Sequence, residues 1–383
     1  MVPSGTRKLL WIVAVCFVHC PDELNGQWVV EDDGCRTPDR GTGNCIPITD
    51  CKPMLNVLQR VKRPISDAVM KRLQSYTCGS YGSSIKVCCP PSEIVLETES
   101  LPPDVSNHPN LYLLPKDCGY LNTDNRITNG ENAAINEFPW MALLRYRNSR
   151  GLKFNCGGSI INRNYILTAA HCLSGITSQL VSVRVGEYSI KNDTDCDLVN
   201  KTLKCNPPVQ DVAIEKVIPH EQFKTGRNGF DIGLIRVSTM NLEVESARPV
   251  CLPLGRERTR KFDAVFVTGW GVENVATGET SDILQKVLLP VADKATCAAT
   301  YSQNGIHLLD TQLCAGGTSN KDSCSGDSGG PMMVPTVNED YNAIYVQQGV
   351  VSFGPRFCGT PGYPGVYILV NRYMDWILNN LEP

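Results

Sequence analysis

The 18 cysteines of this 383-residue chain constrain its fold more than any other feature of the sequence. An ordinary cytosolic protein does not carry so many, so they either form disulfides outside the cytosol or bind metal. Six of them lie between Cys35 and Cys89, and ten follow from Cys118 onward. The other two, Cys16 and Cys20, lie close to the N-terminus. The spacing therefore predicts two separate cysteine-rich regions.

The N-terminus favours disulfides over metal. Arg7 and Lys8 precede an apolar run over residues 9–18, which is too short to span a bilayer as a helix. A basic start before a short apolar run is typical of a secretory signal peptide, here residues 1–20. Its removal after Cys20 would leave 16 of the 18 cysteines, an even number. A buried first strand or helix is the alternative interpretation.

Charge and hydropathy narrow the classes of partner. Lys plus Arg number 36 and Asp plus Glu number 39, and the formal charge of −3 argues against a nucleic-acid binder or a polybasic membrane anchor. No later segment approaches about 18 consecutive apolar residues, so we expect no membrane span. The sequons at Asn192 and Asn200 become glycosylation sites if the chain is secreted.

The chain after the signal peptide divides into segments of different character. Residues 34–89 hold the first cysteine group, and residues 90–126 are rich in proline without hydrophobic periodicity, which is typical of a linker. From Cys118 onward, short β-branched runs such as 165–168 alternate with Gly, Asn and Pro turns, which predicts an all-β barrel or sandwich. Residues 371–378 have the spacing of a helix.

Three local patterns carry chemistry. His171 ends a predicted strand, Asp231 leads into an apolar strand, and Ser328 lies in the run Gly-Asp-Ser-Gly-Gly-Pro. Serine is a weak nucleophile and needs an adjacent base, which a histidine oriented by a buried carboxylate supplies. Glycines beside the serine let backbone N–H groups converge as an oxyanion hole. Each pattern alone also fits a core histidine, a capping acid or a loop serine, but their order along the chain points to one fold.

With these patterns, the segment from about Ile127 to the C-terminus resembles the chymotrypsin-like serine proteases. Its other matching motifs are Phe138-Pro139-Trp140, Cys156-Gly157-Gly158-Ser159, Thr268-Gly269-Trp270-Gly271 and Pro364-Gly365-Val366-Tyr367. The resemblance implies a protease domain over residues 127–383 that is built as a double β-barrel, with the active site between the barrels. It makes His171 the general base, Asp231 its orienting partner and Ser328 the nucleophile. The N–H groups of Gly326 and Ser328 would form the oxyanion hole.

The same resemblance implies trypsin-like specificity. Asp322 matches the aspartate at the base of the primary pocket in trypsin-like members, where a buried carboxylate pairs with a substrate Arg or Lys. The matching pocket walls are Ser352, Phe353, Gly354 and Gly365. Because the two glycines leave room for a long side chain, we expect cleavage after Arg or Lys. A surface acid in a loop is the alternative interpretation of Asp322.

The sequence around Arg126 and Ile127 resembles the activation junction of the same family. It departs from the usual form because Thr128 and Asn129 replace an apolar residue and a glycine. Cleavage after Arg126 would free an α-amino group at Ile127, and the new ammonium would pair with Asp327 and order the pocket and the oxyanion hole. This implies an inactive zymogen whose activator is itself trypsin-like.

The cysteines of the protease region are assigned by the resemblance, and Cys196 and Cys205, which remain in one loop, are expected to pair. The implied pairs are Cys118–Cys251, Cys156–Cys172, Cys297–Cys314 and Cys324–Cys358. Spacing alone does not choose among the connectivities of the six N-terminal cysteines. Their adjacent pair Cys88-Cys89 and the dipeptide Cys78-Gly79 resemble the clip domain of arthropod proteases. That resemblance implies the pairs Cys35–Cys88, Cys45–Cys78 and Cys51–Cys89.

Other interpretations of the first cysteine group remain open at this point. A zinc site is the main one, although no histidine lies nearby and secretion favours disulfides. A generic disulfide scaffold without a binding role is another. The more specific hypothesis is that this region is a docking module, which brings the protease to activators, cofactors or surfaces.

An acidic loop after Glu187 is a candidate calcium site. Carboxylates at Glu187 and Asp195, with carbonyl oxygens at Ser189 and Asn192, would supply the oxygen ligands that calcium prefers. Related clip proteases bind calcium in this loop. The alternative is a solvated acidic loop held by Cys196–Cys205.

A clip domain joined to a trypsin-like protease resembles the arthropod clip-domain serine proteases of the prophenoloxidase-activating and easter types. The resemblance implies a secreted zymogen in a fluid such as hemolymph, acting in melanization or Toll signalling, with developmental patterning as an alternative. Its partners would be an upstream trypsin-like activator, a downstream proenzyme such as prophenoloxidase or a Toll-ligand precursor, and a serpin inhibitor. The chemistry needs no cofactor.

Two other functions are less consistent with the sequence. A non-catalytic clip-domain cofactor would typically have lost its serine, whereas Ser328, His171 and Asp231 are all present. A digestive trypsin has no evident need for an N-terminal docking module and a linker.

Overall fold

The computed structural model describes residues 34–38, 41–60, 67–81, 84–91, 101–120, 132–149, 151–174, 179–199, 201–224, 229–274, 277–318, 322–355 and 357–383. The chain forms two compact units, Met1–Ser100 and Leu101–Pro383. The predicted signal peptide, the junction Arg126–Ile127 and the sequon residue Asn200 lie outside the described residues.

The first unit is a small sheet with two helices. Its strands are β1 (Gly34–Arg36), β2 (Thr42–Pro47), β3 (Thr77–Tyr81) and β4 (Ser84–Cys89), and its helices are α1 (Lys52–Arg60) and α2 (Asp67–Gln74). The sheet is antiparallel with the order β1-β2-β4-β3. Helix α1 presents Met54 and Val57, one turn apart, to a core that also contains Leu73, Tyr76 and Val87. So small a core needs covalent support, which three disulfides provide.

The first half of the second unit is a closed barrel. Its elements are β5 (Met141–Asn148), β6 (Gly151–Asn162), β7 (Tyr165–Thr168), β8 (Gln179–Val185), β9 (Cys196–Val199), β10 (Thr202–Cys205), β11 (Gln210–Pro219) and β12 (Gly233–Val237). The barrel order is β11-β12-β7-β6-β5-β8, while β9 and β10 form a separate hairpin. Strand β7 is buried along its whole length, as its continuous apolar sequence predicts.

The second half is another six-stranded sheet. Its elements are β13 (Ala264–Gly269), β14 (Val272–Asn274), β15 (Glu279–Thr280), β16 (Gln285–Pro290), α3 (Lys294–Ser302), β17 (Gln312–Ala315), β18 (Pro331–Val337), β19 (Ala343–Phe353), β20 (Gly365–Leu369) and α4 (Met374–Asn380). The order is β16-β13-β18-β19-β20-β17, and a bridge between Val291 and Ala315 joins the two edges. The expected all-β double-barrel fold is thereby confirmed.

One hydrophobic core continues from the first sheet into the second. Trp140 and Leu144 of the first half lie in the same cluster as Met333 and Tyr345 of the second. The indole N–H of Trp140 donates to the sulfur of Met333 at 3.0 Å. The two barrels are therefore held in a fixed arrangement, which matters because the candidate site draws residues from both.

Residues 101–120 differ from the linker predicted over residues 90–126, because they pack on the second unit. Val105 and Leu114 lie in its hydrophobic core. The side-chain amide of Asn110 donates to the carbonyl oxygens of Leu378 and Leu381, at 2.9 and 3.2 Å. Isolated apolar residues between prolines show no periodicity, so the sequence pattern did not reveal this packing.

Each helix among the described residues falls short of the length and hydrophobicity that a bilayer-spanning helix needs.

Candidate active site

His171 and Asp231 meet on one side of the site. His171 lies in a short 3-10 turn after β7, and Asp231 lies two residues before β12, which pairs with β7. Nδ1 of His171 lies 2.8 Å from one carboxylate oxygen of Asp231, and the backbone N–H of His171 donates to the other, also at 2.8 Å. Because Nδ1 faces a carboxylate, it carries the proton of the neutral ring, and Nε2 is left as the acceptor.

Ser328 lies in the loop before β18, and this loop is attached to the first barrel. The carbonyl oxygen of Ser328 accepts the N–H of Gly157 from β6 at 2.8 Å. Gly329 has a φ of +80°, and a Cβ there would lie 2.2 Å from Oγ1 of Thr168, at the end of β7. Only glycine allows this approach, which brings the serine loop against the strand that leads to His171.

The backbone around Ser328 presents two unused N–H groups. The N–H groups of Asp327 and Gly330 bond within the loop, at 3.0 and 2.9 Å. Within the described ranges, no acceptor is found for the N–H groups of Gly326 and Ser328. Gly326 has a φ of +106°, a conformation that side chains disfavour. These are the two N–H groups that the sequence predicts for an oxyanion hole.

The Asp231 carboxylate has a third donor that the sequence did not predict. Oγ of Ser352 donates to the same oxygen that faces His171, at 2.5 Å. The sequence placed Ser352 only in the pocket wall, because the contact depends on β19 of the second barrel reaching Asp231, 121 residues earlier in the chain. Ser352 therefore joins the predicted pocket to the carboxylate.

A disulfide lies beside His171. Cys156, His171 and Cys172 have ligand atoms within 4.8 Å of one another. The two cysteines are joined to each other, so they are not available as thiolate ligands for a metal. The bridge instead attaches the turn that carries His171 to β6.

Asp322 lies among glycines at the base of the candidate pocket. A Cβ on Gly365 would lie 3.1 Å from Oδ1 of Asp322, and a Cβ on Gly354 would lie 3.8 Å from Cα of Gly365. Oδ1 accepts the N–H of Ser323 at 2.8 Å, while Oδ2 is buried without a partner among the described residues. Burial raises the pKa of Asp322 to about 6. A cation entering between the glycines would meet an unpaired carboxylate oxygen.

Phe353, which the sequence predicts for the wall of this pocket, lies beside these residues. It stands between Ser352 and Gly354 at the end of β19, and its ring meets that of Tyr301 edge to face, with centroids 5.6 Å apart. All five residues predicted for the pocket therefore lie in one region.

Asp327 is held by backbone groups of the second barrel. Its carboxylate accepts the N–H groups of Gly271 and Cys324, both at 2.8 Å. Burial raises its pKa to about 6. A Cβ on Gly269 or Gly271 would lie 2.0 or 2.5 Å from a carboxylate oxygen, so only glycine fits at these positions. No cation within the described ranges pairs with this carboxylate.

The predicted calcium loop has two buried carboxylates. Glu187 and Asp195 are 8% and 6% exposed, and burial raises the pKa of both. Glu187 pairs with Arg184 at 3.2 Å. Oδ2 of Asp195 accepts the N–H groups of Tyr188 and Ser189, whereas Oδ1 is buried without a partner among the described residues. Asn192 is exposed at the surface of the same loop.

Among the described residues the structure contains eight disulfides. Their pairings are those implied by the resemblances to the chymotrypsin-like proteases and to the clip domain and, for Cys196–Cys205, by a shared loop. They are Cys35–Cys88, Cys45–Cys78, Cys51–Cys89, Cys118–Cys251, Cys156–Cys172, Cys196–Cys205, Cys297–Cys314 and Cys324–Cys358.

Comparison with known proteins gives two family matches. The model of the trypsin family matches residues 127–377, and the model described as the regulatory CLIP domain of proteinases matches residues 35–89. Phenoloxidase-activating factor 1 of Holotrichia diomphalia is 37% identical over 94% of this chain and 96% of its own length. Serine protease ea of Drosophila melanogaster is 38% identical over 91% of each chain.

A solved structure is also similar. It is the crystal structure of the Drosophila Grass clip serine protease of the Toll pathway, with a TM-score of 0.62 and 32% identity. The match covers 91% of this chain and 96% of that one.

Proposed function

The chain belongs to the trypsin family of serine proteases and carries a CLIP domain, and we propose that it is secreted as a zymogen that, once cut after Arg126, cleaves proteins after Arg or Lys. The family assignment makes it a serine endopeptidase. The observation that carries the rest of the proposal is the geometry of three charged groups. His171 is oriented by a carboxylate, Asp322 has one carboxylate oxygen without a partner among the described residues, and Asp327 has no cation beside it in the same part of the chain.

In the proposed mechanism, His171 removes the proton from Oγ of Ser328 as that oxygen attacks the scissile carbonyl carbon. The support is the 2.8 Å contact between Nδ1 and Asp231, which leaves Nε2 as the acceptor and stabilises the imidazolium that forms. The N–H groups of Gly326 and Ser328 donate hydrogen bonds to the developing oxyanion. His171 then protonates the leaving amine, and a water molecule releases the acyl group by the same steps in reverse.

The proposed preference for Arg or Lys rests on Asp322. Its Oδ2 is buried and lacks a partner among the described residues, and such an atom is costly unless a ligand pairs with it. A guanidinium or ammonium group of the substrate supplies both the charge and the hydrogen bonds.

The proposed activation step rests on Asp327. Its carboxylate receives two backbone hydrogen bonds but no positive charge within the described part of the chain, and burial opposes its ionisation. The α-ammonium group of Ile127, created by cleavage after Arg126, would supply that charge. Because Asp327 directly precedes Ser328, pairing would hold the loop of Ser328 in its active conformation.

The names of similar proteins support the proposed extracellular role. The name of the Holotrichia diomphalia relative refers to phenoloxidase activation, and that of the similar solved structure refers to the Toll pathway. We therefore place this protease in a cascade of that kind, with a trypsin-like activator upstream, a proenzyme such as prophenoloxidase or a Toll-ligand precursor downstream, and a serpin as inhibitor. Secretion is supported by the eight disulfides and the signal-like N-terminus. The CLIP domain would serve as the docking module.

A structural calcium ion fits the loop from Glu187 to Asp195. The donor set consists of oxygens, and the unpaired Oδ1 of Asp195 lacks a partner that a hard cation would provide. The carboxylates of Glu187 and Asp195, with carbonyl oxygens of Ser189 and Asn192, would hold it. The ion would stabilise the loop and takes no part in peptide hydrolysis.

The proposal is tested with the full-length protein cut by a trypsin-like protease. N-terminal sequencing should find a chain that begins at Ile127, and amide substrates with Arg or Lys before the scissile bond should then be hydrolysed at least about 100-fold faster than before the cut. Arg126→Gln should abolish activation by that cut, and Ser328→Ala should abolish hydrolysis in the cut protein. Full activity of the uncut chain, or a preference for apolar residues, would contradict the proposal.

A further inference from the structure

The CLIP domain carries a positive charge that the balance of the whole chain conceals. Residues 34–89 contain nine Lys or Arg and three Asp or Glu, a net charge of +6, whereas the full chain has a formal charge of −3. Residues 90–383 contain 25 Lys or Arg and 31 Asp or Glu, a net charge of −6. Attraction for a negatively charged partner is therefore concentrated in the CLIP domain.

The structure leaves much of this charge without a counter-charge. The described side chains of the domain include one carboxylate, Asp50, and five cations, namely Arg36, Lys52, Lys71, Arg72 and Lys86. Three of these cations, Arg36, Lys52 and Lys71, are exposed and have no ion-pair partner among the described residues. These three charges are therefore available to a partner outside the domain.

Two of the unpaired cations lie on the outer sides of the helices. Met54 of α1 and Leu73 of α2 belong to the core of the domain. Lys52 and Lys71 each precede these core residues by two positions, which corresponds to about 200° around a helix, so both ammonium groups lie away from the core. Lys52 also lies in the first turn of α1, where the helix dipole disfavours a positive charge. Helix stability therefore does not explain its position.

A further cation lies on the opposite face of the sheet. Val87 of β4 packs in the same core as Met54 and Leu73 of the helices. Because neighbouring residues of a strand point to opposite faces, Lys86 lies on the face away from the helices. Positive charge is thus present on both sides of the domain. A flat surface such as a membrane can contact only one of these sides, whereas a flexible polymer can contact both.

The distribution of the charge also argues against a compact anion and against a nucleic acid. Arg36, Lys52 and Lys71 lie on three different elements, whereas a single phosphate group is bound by several donors that converge at one point. Tyr76, the aromatic ring described in this domain, is 2% exposed, so it offers no stacking surface to the bases of a single-stranded nucleic acid. Single cations on separate elements match negative charges that repeat along a polymer.

We propose that the CLIP domain binds an acidic polysaccharide, a flexible chain of sugars with repeated sulfate or carboxylate groups. This inference rests on the proposed secretion and on the proposed docking role of the domain, and it names the chemistry of the partner. Each Lys or Arg that pairs with an anionic group releases counterions, so the affinity depends on salt. With about four to six such pairs, the affinity should fall roughly 100-fold to 2000-fold between 50 and 200 mM salt.

The test uses the full-length, uncut protein and labelled heparin, a sulfated polysaccharide, at about 150 mM salt. Lys52→Gln/Lys71→Gln should weaken heparin binding about 25-fold and Lys86→Gln about fivefold, since each cation near an anionic partner contributes about fivefold. Lys153→Gln/Lys261→Gln is the matched control, because it neutralises two exposed lysines in the negatively charged part of the chain. It should change the affinity by less than about twofold. Thermal unfolding checks that every variant is folded.

Neutral dextran, polyphosphate and vesicles that contain phosphatidylserine are compared with heparin. Absence of heparin binding at about 50 mM salt, or tighter binding of any of these three probes, would overturn the inference. It would also be overturned if Lys86→Gln had no effect while Lys52→Gln/Lys71→Gln abolished binding, because the partner would then be a flat protein or membrane surface.

Hydrolysis of an arginyl amide is measured on the same preparation after the cut. Hydrolysis without heparin binding would contradict only the polysaccharide role of the CLIP domain. Heparin binding without hydrolysis would contradict the proposed protease function and leave this inference standing.

Discussion

Acidification tests whether Asp322 is the specificity carboxylate. Burial raises its pKa to about 6, so it loses its charge within the working range of a protease assay. With that pKa, the ionised fraction falls from about 99% at pH 8 to about 9% at pH 5. If a substrate arginine binds only the ionised form, its kcat/KM should fall about 11-fold from this group alone.

The assay must separate this loss from other titrations in the site. We would measure kcat/KM for two peptide amides that differ only in having Arg or Gln before the scissile bond, between pH 5 and 8. Protonation of a group that serves catalysis on both substrates alike cancels in the ratio of the two values. The ratio should fall about 11-fold between pH 8 and pH 5, and the inhibition constant of benzamidine should rise in parallel.

Two results would refute the reasoning. A ratio that stays constant over this range would show that the carboxylate does not select for the positive charge of the substrate. A ratio that falls only near pH 4 would show that burial does not raise the pKa of Asp322. The variant Asp322→Ser supplies the reference, because its ratio should be low and independent of pH.

Three further predictions concern stability and positioning. Asp322→Asn should raise the free energy of unfolding by about 1–3 kcal/mol at pH 8 and by little at pH 4. The reason is that a folded-state pKa above the ordinary value makes the carboxylate oppose folding as pH rises from about 4 to 6. Chemical denaturation at both pH values checks this, and equal gains at the two pH values would contradict it. Ser352→Ala removes the donor to Asp231 and should lower kcat by about 10-fold to 100-fold without changing the unfolding temperature by more than a few degrees, as steady-state kinetics would show. Asn110→Ala removes two hydrogen bonds to the end of α4 and should cost about 1–2 kcal/mol of unfolding free energy while kcat stays unchanged; a lower kcat would mean that the contact serves the active site.

The sequence predicted those parts of the site that local motifs carry. His171, Asp231 and Ser328 each lie in a short pattern whose residue types follow from the chemistry, and the structure brings the first two together at 2.8 Å. The strand over residues 165–168 also followed from local pattern, because a buried β-branched run has few alternatives.

Other features depend on contacts that no local pattern records. Ser352 reaches Asp231 across 121 residues, and Lys286 reaches Glu137 across 149. In the sequence, neither a lysine in a strand nor a glutamate in a loop indicates a buried ion pair, because the pair forms only when the fold brings the two residues together. Residues 101–120 looked like a linker for a related reason, since buried residues such as Val105 and Leu114 are isolated from one another in the sequence.

The packing of residues 101–120 determines where a recombinant fragment with the catalytic barrels should begin. A recombinant catalytic half that begins at Ile127 would leave Cys251, 8% exposed and next to Val346, with an unpaired thiol. It would also uncover the surface that Leu114 occupies, so mixed disulfides and aggregation are the expected outcome. The smallest catalytic form that keeps this surface covered begins at Leu101. If the chain is cut after Arg126 as proposed, residues 101–120 and the catalytic barrels would belong to different polypeptides but to the same folding unit.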